Sequence, residues 1–258
     1  MTPDAFLQHA ESFFLVFMRV AAIMVVAPVF GHRVIPLRLR VLFALVLAAT
    51  VFPLVQTPEV HAAGALTVIG ATLRELLVGL LIGYAANFIF YAVQFAGDIA
   101  SFQIGFTSVI SIDPSTLENV TIMARLQMLL ALTLYVLLDG HHFLVQALVS
   151  SFSEVPLLSA RFPVTLLDAF VKIAGTSIVA ALRIAAPILV ATSLVHVALA
   201  VLSRTMPQLN IMAVSFPLVI GVGIVVLITT LPAFAHFFHQ FLLNAERQVM
   251  SVMRMLGV

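Results

Sequence analysis

Six apolar runs fill most of this chain, and their lengths decide what it can fold into. They lie at Phe13–Phe30, Val41–Val55, Leu66–Ala96, Met123–Leu138 (resuming as Phe143–Phe152), Val164–Ser203 and Ile211–Leu231. A helix needs about 20 predominantly apolar residues to cross the hydrocarbon core of a bilayer, and several of these runs reach or exceed that length. Only 9% of the 258 residues are charged, where a soluble domain carries about 25%. Mean hydropathy is +1.19. The expected fold is therefore all-α, an integral membrane protein of helical hairpins with long kinked helices. A net charge of +1 implies no nucleic-acid partner, and the absence of cysteine excludes disulfides and thiolate metal sites.

Two runs are too long for one perpendicular span. Leu66–Ala96 has about 31 residues and Val164–Ser203 about 40. A single helix of the latter length measures about 60 Å, twice the hydrocarbon thickness, so it is expected to be broken or to leave the bilayer. Topology points the same way. The first residues carry Asp4 and Glu11 and no base before Arg19, so no cleavage is expected and the first run stays as an anchor. The densest basic cluster, Arg33, Arg38 and Arg40, belongs in the cytoplasm by the positive-inside rule. Six ordinary spans then put the C-terminus outside, against the preference of Arg247 and Arg254. The helices are not expected to cross in the conventional manner.

Polar groups inside apolar runs are costly and face protein or water. Glu75 is one such group, with two open readings: an inward-facing carboxylate, or a surface partner of Arg74. Gly79 and Gly83 form a G-x-x-x-G that allows close helix approach, and Arg183 precedes a kink expected at Pro187. The last residues, Pro232–Val258, alternate phenylalanines with His236, His239, Gln240, Asn244, Glu246 and Arg247, the pattern of an amphipathic tail. Asp139-Gly-His-His reads as a polar interface turn with Gly140 ending a helix. A metal site on Asp139, His141 and His142 is not expected, because adjacent histidines should point apart and a third ligand at suitable spacing is not evident.

Between the third and fourth runs lies Gly97–Ile122, GDIASFQIGFTSVISIDPSTLENVTI. It is too polar to face lipid as bare backbone and too apolar for an ordinary solvated loop. Irregular backbone near membrane depth is tolerated where protein buries it or where it lines a water-filled cavity. It reads either as a loop lining or closing a conduit or as an extramembrane loop with apolar residues.

Three blocks together carry a resemblance. They are Gln94-Phe-Ala-Gly-Asp-Ile-Ala with Gln103-Ile-Gly-Phe and Asp113-Pro114; Asp139-Gly-His-His with Ser151-Phe and Pro156; and Arg204-Thr-Met-Pro-Gln-Leu-Asn210 with Pro217. In order and spacing they resemble the FliR/SctT family of type III secretion export-gate proteins over nearly the whole chain, although Ser215 stands where a smaller residue is expected. The resemblance implies one helical export-gate domain over 1–258, with a plug loop at about 97–122 and the amphipathic tail at about 232–258. It implies a conical hetero-oligomer with FliP and FliQ, an FlhB-type switch protein packed outside, an FlhA-type export protein, exported flagellar proteins as cargo and contact with membrane lipid. The implied place is the bacterial inner membrane at the flagellar basal body, partly raised to the periplasmic side. No catalysis, cofactor or metal is implied.

By the same resemblance the plug is expected at Gly105, Phe106, Thr107, Ser108, Val109, Ile110, Ser111, Asp113 and Pro114, with hinge and support from Gln94, Gly97, Asp98, Gln103 and Asn119. Glu75, Arg204, Pro207, Gln208 and Asn210 are expected to make intersubunit or internal polar contacts. Three rival readings remain: a gate subunit of a virulence system, a secondary transporter with helices broken near Gly97 and Pro187, and a membrane enzyme using Asp139, His141 and His142. The transporter reading predicts inverted halves, which the sequence does not display.

Overall fold

The computed structural model describes residues 3–27, 36–55, 64–105, 121–206, 208 and 210–257, and every regular element among them is a helix. Seven α-helices follow in order: α1 (Pro3–Val26), α2 (Leu37–Val51), α3 (Gly64–Ile104), α4 (Ile122–Leu137), α5 (Gly140–Glu154), α6 (Thr165–Thr205) and α7 (Ile211–Gly257). A short 3₁₀ turn, Phe52–Leu54, follows α2. Helix is the natural choice here, since it satisfies its own backbone hydrogen bonds where water is absent. Five of the helices are long and apolar enough to cross a membrane.

Three helices run further than the sequence suggests. The loop expected from Gly97 begins later, because α3 stays helical through Ile104. α6 has 41 residues and passes Pro187 unbroken. α7 has 47 residues and contains both Pro217 and Pro232, so the tail expected from residue 232 is the second half of one helix. An internal proline removes one helical hydrogen bond and costs about 3 kcal/mol. That is one bond among several dozen, and a helix boundary at that point would expose more backbone. At 1.5 Å per residue α6 and α7 are about 60 and 70 Å long, well beyond the hydrocarbon thickness.

The chain forms two compact units. One comprises 1–88, 139–174 and 243–258, and the other 89–138 and 175–242. The first unit packs the beginning of α3 against α1, α2, α5 and the end of α7. Its core holds Val16, Val20 and Ile23 of α1, Ala44 and Ala48 of α2, Val78 and Ile82 of α3, Leu144 and Leu148 of α5, and Val252 and Met253 of α7. The G-x-x-x-G of α3 is where α1 comes nearest. A methyl group at Gly79 would stand 2.5 Å from the Arg19 carbonyl oxygen and 2.7 Å from Ala22 Cβ, and one at Gly83 would stand 3.1 Å from Val26 Cβ.

At the centre of this unit Arg19 and Glu75 are both fully buried. Arg19 Nε donates to Glu75 Oε2 at 2.6 Å, and Nη2 lies 2.5 Å from the same oxygen. Nη1 donates to the carbonyls of Ser151 and Val155 at 2.8 and 2.7 Å. The guanidinium stacks 4.6 Å above the Phe152 ring. Glu75 Oε1 accepts from the Leu158 amide at 2.9 Å, and the neighbouring Arg74 donates to the Leu158 carbonyl at 2.7 Å. Arg74 and Glu75 therefore do not pair with each other; together they hold both polar groups of Leu158. That residue sits at φ 67°, a left-handed conformation costing about 1–2 kcal/mol for a residue with a side chain.

The second unit packs the end of α3 against α4, α6 and α7. Phe90 meets Tyr135 edge-on at 5.3 Å and Phe238 at 6.2 Å. A methyl group at Gly97 would collide with Ala124 Cα, and one at Gly223 would stand 2.6 Å from Ile104 Cδ1. Exposure is uneven among the apolar helices. The membrane-length stretch of α3 is 56% buried, while those of α6 and α7 are only 22% and 11% buried. Leu182, Val190, Leu194, Val197 and Val201 on α6 face outward, as do Phe216, Ile224, Val225 and Ile228 on α7. Surfaces so apolar belong against lipid or another protein.

Two predictions follow from the buried pair and the residue it holds. Arg19→Met or Glu75→Gln strands one charged or polar partner in the core and should cost about 3–5 kcal/mol, read as a lowered thermal midpoint in detergent. Combining Arg19→Met with Glu75→Met should recover much of that loss. At Leu158, glycine should prove more stable than alanine by about 1 kcal/mol, since both lose the same packing beyond Cβ and only glycine relieves the positive φ.

Candidate functional site

The described flanks of the predicted plug belong to the second unit. Phe106, Thr107, Ser108, Val109, Ile110, Ser111, Asp113, Pro114 and Asn119 lie outside the described residues. Gly105 is described, and it ends α3 at φ +88°. Its amide donates back to the carbonyls of Ser101 and Phe102 at 3.1 and 3.2 Å, the capping arrangement that favours glycine because a Cβ is disfavoured there.

Contacts made by Asp98, Gln103, Ile104 and Gly105 fix this helix end. Asp98 Oδ1 accepts from the Thr121 hydroxyl at 2.9 Å. The same hydroxyl oxygen caps α4 by accepting from the Ala124 amide at 3.3 Å, so one side chain starts α4 and ties it to α3. Gln103 donates its amide to Ser193 Oγ at 3.1 Å, and its main-chain carbonyl lies 3.4 Å from His196 Nε2. Ile104 fills the notch left by Gly223, and Phe216 lies 3.7 Å from where a Gly105 Cβ would stand. Asp98 thus holds the start of α4 against α3, seven residues before Gly105, while α6 and α7 brace the end of α3. Phe102 is 73% exposed at this end, a large apolar surface that no described residue covers.

The remaining predicted residues fall as follows. Gln94, Gly97, Asp98 and Gln103 lie in the last three turns of α3, and of them Asp98 and Gln103 bond other helices. Glu75 is engaged inside the first unit. Arg204 is exposed in the last turn of α6 and Gln208 is exposed beyond it. Asn210 caps α7 through Oδ1 to the Ala213 amide at 3.3 Å, and Pro207 lies outside the described residues. Reading the sequence missed Arg19 as the partner of Glu75, although Arg19 is a lone charge in an apolar run and needs one. It also missed Ser193, His196 and Thr121, which carry no signal beyond being polar. In the Asp139-Gly-His-His turn, Asp139 rather than Gly140 takes the left-handed conformation, at φ 57°, and Gly140 opens α5. The two imidazoles lie side by side, their centroids 4.2 Å apart, rather than pointing apart.

The second unit also contains a cavity of about 250 Å³ lined by Gln127, Arg183, Ile188, Leu231, Phe234 and Phe237 among others. Gln127 Oε1 is buried there without a hydrogen-bond partner among the described residues. Arg183 is exposed and lines the cavity rather than packing into the core.

Helices of this length and apolarity, with no strand among the described residues, define an all-α integral membrane protein. The chain belongs to the bacterial export proteins, family 1, whose profile matches residues 10–245. It is similar to the Flagellar biosynthetic protein FliR of Escherichia coli (strain K12), 27% identical over 237 residues, which is 92% of this chain and 90% of the relative. It is 33% identical to that of Bacillus subtilis (strain 168) over 221 residues, 84% of this chain and 85% of the relative. It is also 33% identical to that of Caulobacter vibrioides over 225 residues, 86% and 88% respectively.

Because Gly97 permits the α3–α4 approach, Gly97→Ala should destabilise by about 1–3 kcal/mol through backbone displacement. Gly175→Ala is the control, since a methyl there meets nothing within 4 Å. It should change the thermal midpoint little or raise it slightly.

Proposed function

We propose that this chain is a core subunit of the flagellar type III protein export gate, assembling with FliP and FliQ into the channel through which unfolded flagellar proteins are secreted. The observation that carries the reading is the family match across residues 10–245, shared with relatives named for flagellar biosynthesis. The sparse burial of α6 and α7 supports it, because apolar faces of that extent suit neighbouring subunits. FlhB-type and FlhA-type proteins are further partners on this reading, and the place is the bacterial inner membrane at the basal body, partly raised to the periplasmic side. The chain is a conduit component, not an enzyme.

On the same reading, residues 105–119 plug the closed pore. Phe106 and Ile110 exclude water, Thr107, Ser108 and Ser111 bond neighbouring loops, and Asp113 and Pro114 shape the turn. The Asp98–Thr121 tie supports this assignment, since a seal that must move and return needs fixed ends. Arg204 in the last turn of α6 and Gln208 and Asn210 beyond it are exposed, and on this reading they contact a neighbouring subunit together with Pro207.

The test is co-expression with FliP-like and FliQ-like partners, purification and reconstitution. A large complex should form only with partners, and removal of 106–119 should leave assembly intact while making vesicles leak ions. A monodisperse chain that is stable alone overturns the gate reading. Assembly lost without any leak overturns the plug.

A further inference from the structure

The break between α4 and α5 places three metal-ligating side chains together. Asp139, His141 and His142 each offer one ligand atom, and these atoms all lie within 4.8 Å of one another. The backbone explains why. Asp139, held at φ 57°, precedes the first turn of α5, which brings its carboxylate to the side on which His142 stands. Oδ1 of Asp139 lies 3.1 Å from Nδ1 of His142. The imidazoles of His141 and His142 lie side by side at a centroid distance of 4.2 Å and an interplanar angle of 36°.

We propose that Asp139, His141 and His142 form a binding site for a first-row divalent transition metal, Zn²⁺ or Ni²⁺ in particular. Two imidazoles and one carboxylate suit zinc, nickel or copper and are poorly matched to magnesium or calcium, which take oxygen sets. Bond lengths of about 2.0–2.2 Å place neighbouring donors roughly 3.0–3.5 Å apart. The present spacing reaches that range by modest side-chain rotation, and the exposure of Asp139 and His142 leaves room for it. Nδ1 of His141 is shielded from solvent and has no hydrogen-bond partner among the described residues. One imidazole of the cluster thus carries a nitrogen with unmet bonding capacity. Three protein ligands leave one or more positions for water or for a group from another molecule.

The chemistry balances without any further reactant. With both rings neutral, the metal takes a lone pair from each imidazole and from the carboxylate. The Asp139–His142 hydrogen bond is given up, and a ring proton moves to whichever nitrogen does not ligate. The positive end of the α5 dipole opposes a cation here, and the formal charge of Asp139 opposes that in turn.

The experiment uses the full chain in detergent, purified without a histidine tag and titrated with Co²⁺ by visible absorption, then competed with Zn²⁺. One equivalent should bind saturably. His141→Ala and His142→Ala should each weaken binding about tenfold or more, given that loss of mere supporting contacts costs 10–100-fold. The double variant should abolish it. Asp139→Asn keeps a residue that tolerates the left-handed conformation, so it should weaken binding with helicity unchanged in the far ultraviolet. It decides the matter if a histidine variant misfolds. No saturable binding overturns the proposal. So does binding undiminished in the double variant and in Asp139→Asn, which would place the metal on the other six histidines.

Discussion

The first unit is built around a charge that has no water. Arg19 stands in the middle of an apolar helix, and every strong contact it makes is internal. Glu75 supplies the counter-charge, two carbonyls at the end of α5 take further donors, and Phe152 covers the ring face. A buried pair of this kind is a poor source of net stability, because desolvating two ions offsets most of their attraction. Its value is geometric. Only one mutual placement of α1, α3 and the end of α5 satisfies all these groups together, so the apolar packing around them, which tolerates many arrangements, is held to one. The strained Leu158 belongs to the same logic, since both of its polar groups are held by consecutive residues of α3.

Glycine performs the matching task on the apolar side. At Gly79 and Gly83 α3 meets α1, and at Gly97 it meets α4. Lipid gives helices little hydrophobic reason to associate, so close backbone approach and dispersion carry the contact. A single long helix can then serve two compact units in succession, each with its own partners.

Much of this was legible from residues alone. Run length and charge scarcity gave the membrane class and the helical fold, and three spaced blocks gave the export family. The G-x-x-x-G was visible as a candidate contact, and the structure uses it. Helix continuity was not visible. Gly97, Pro187 and Pro232 read locally as interruptions, yet long helices absorb them because the alternative exposes more backbone. Nor could the sequence pair Arg19 with Glu75, because nothing local links positions 56 residues apart. The left-handed residues escaped for separate reasons: Leu158 is held by Arg74 and Glu75, 84 and 83 residues away in sequence, whereas at Asp139 an adjacent glycine drew attention away. Most of the predicted plug lies beyond the described residues, so what the structure speaks to is its attachment.

That attachment sets a limit on reach. The Asp98–Thr121 bond holds the start of α4 beside α3 at a point seven residues, or about 10 Å of helix, before Gly105, so residues 106–120 leave and rejoin the described structure at two posts about 10 Å apart. Fifteen residues span about 50 Å at full extension, so a chain returning to a post about 10 Å from its start stays within a radius of about 30 Å of either end. Whatever this segment touches lies inside that radius. Lengthening it should enlarge the radius by about 1.7 Å per added residue.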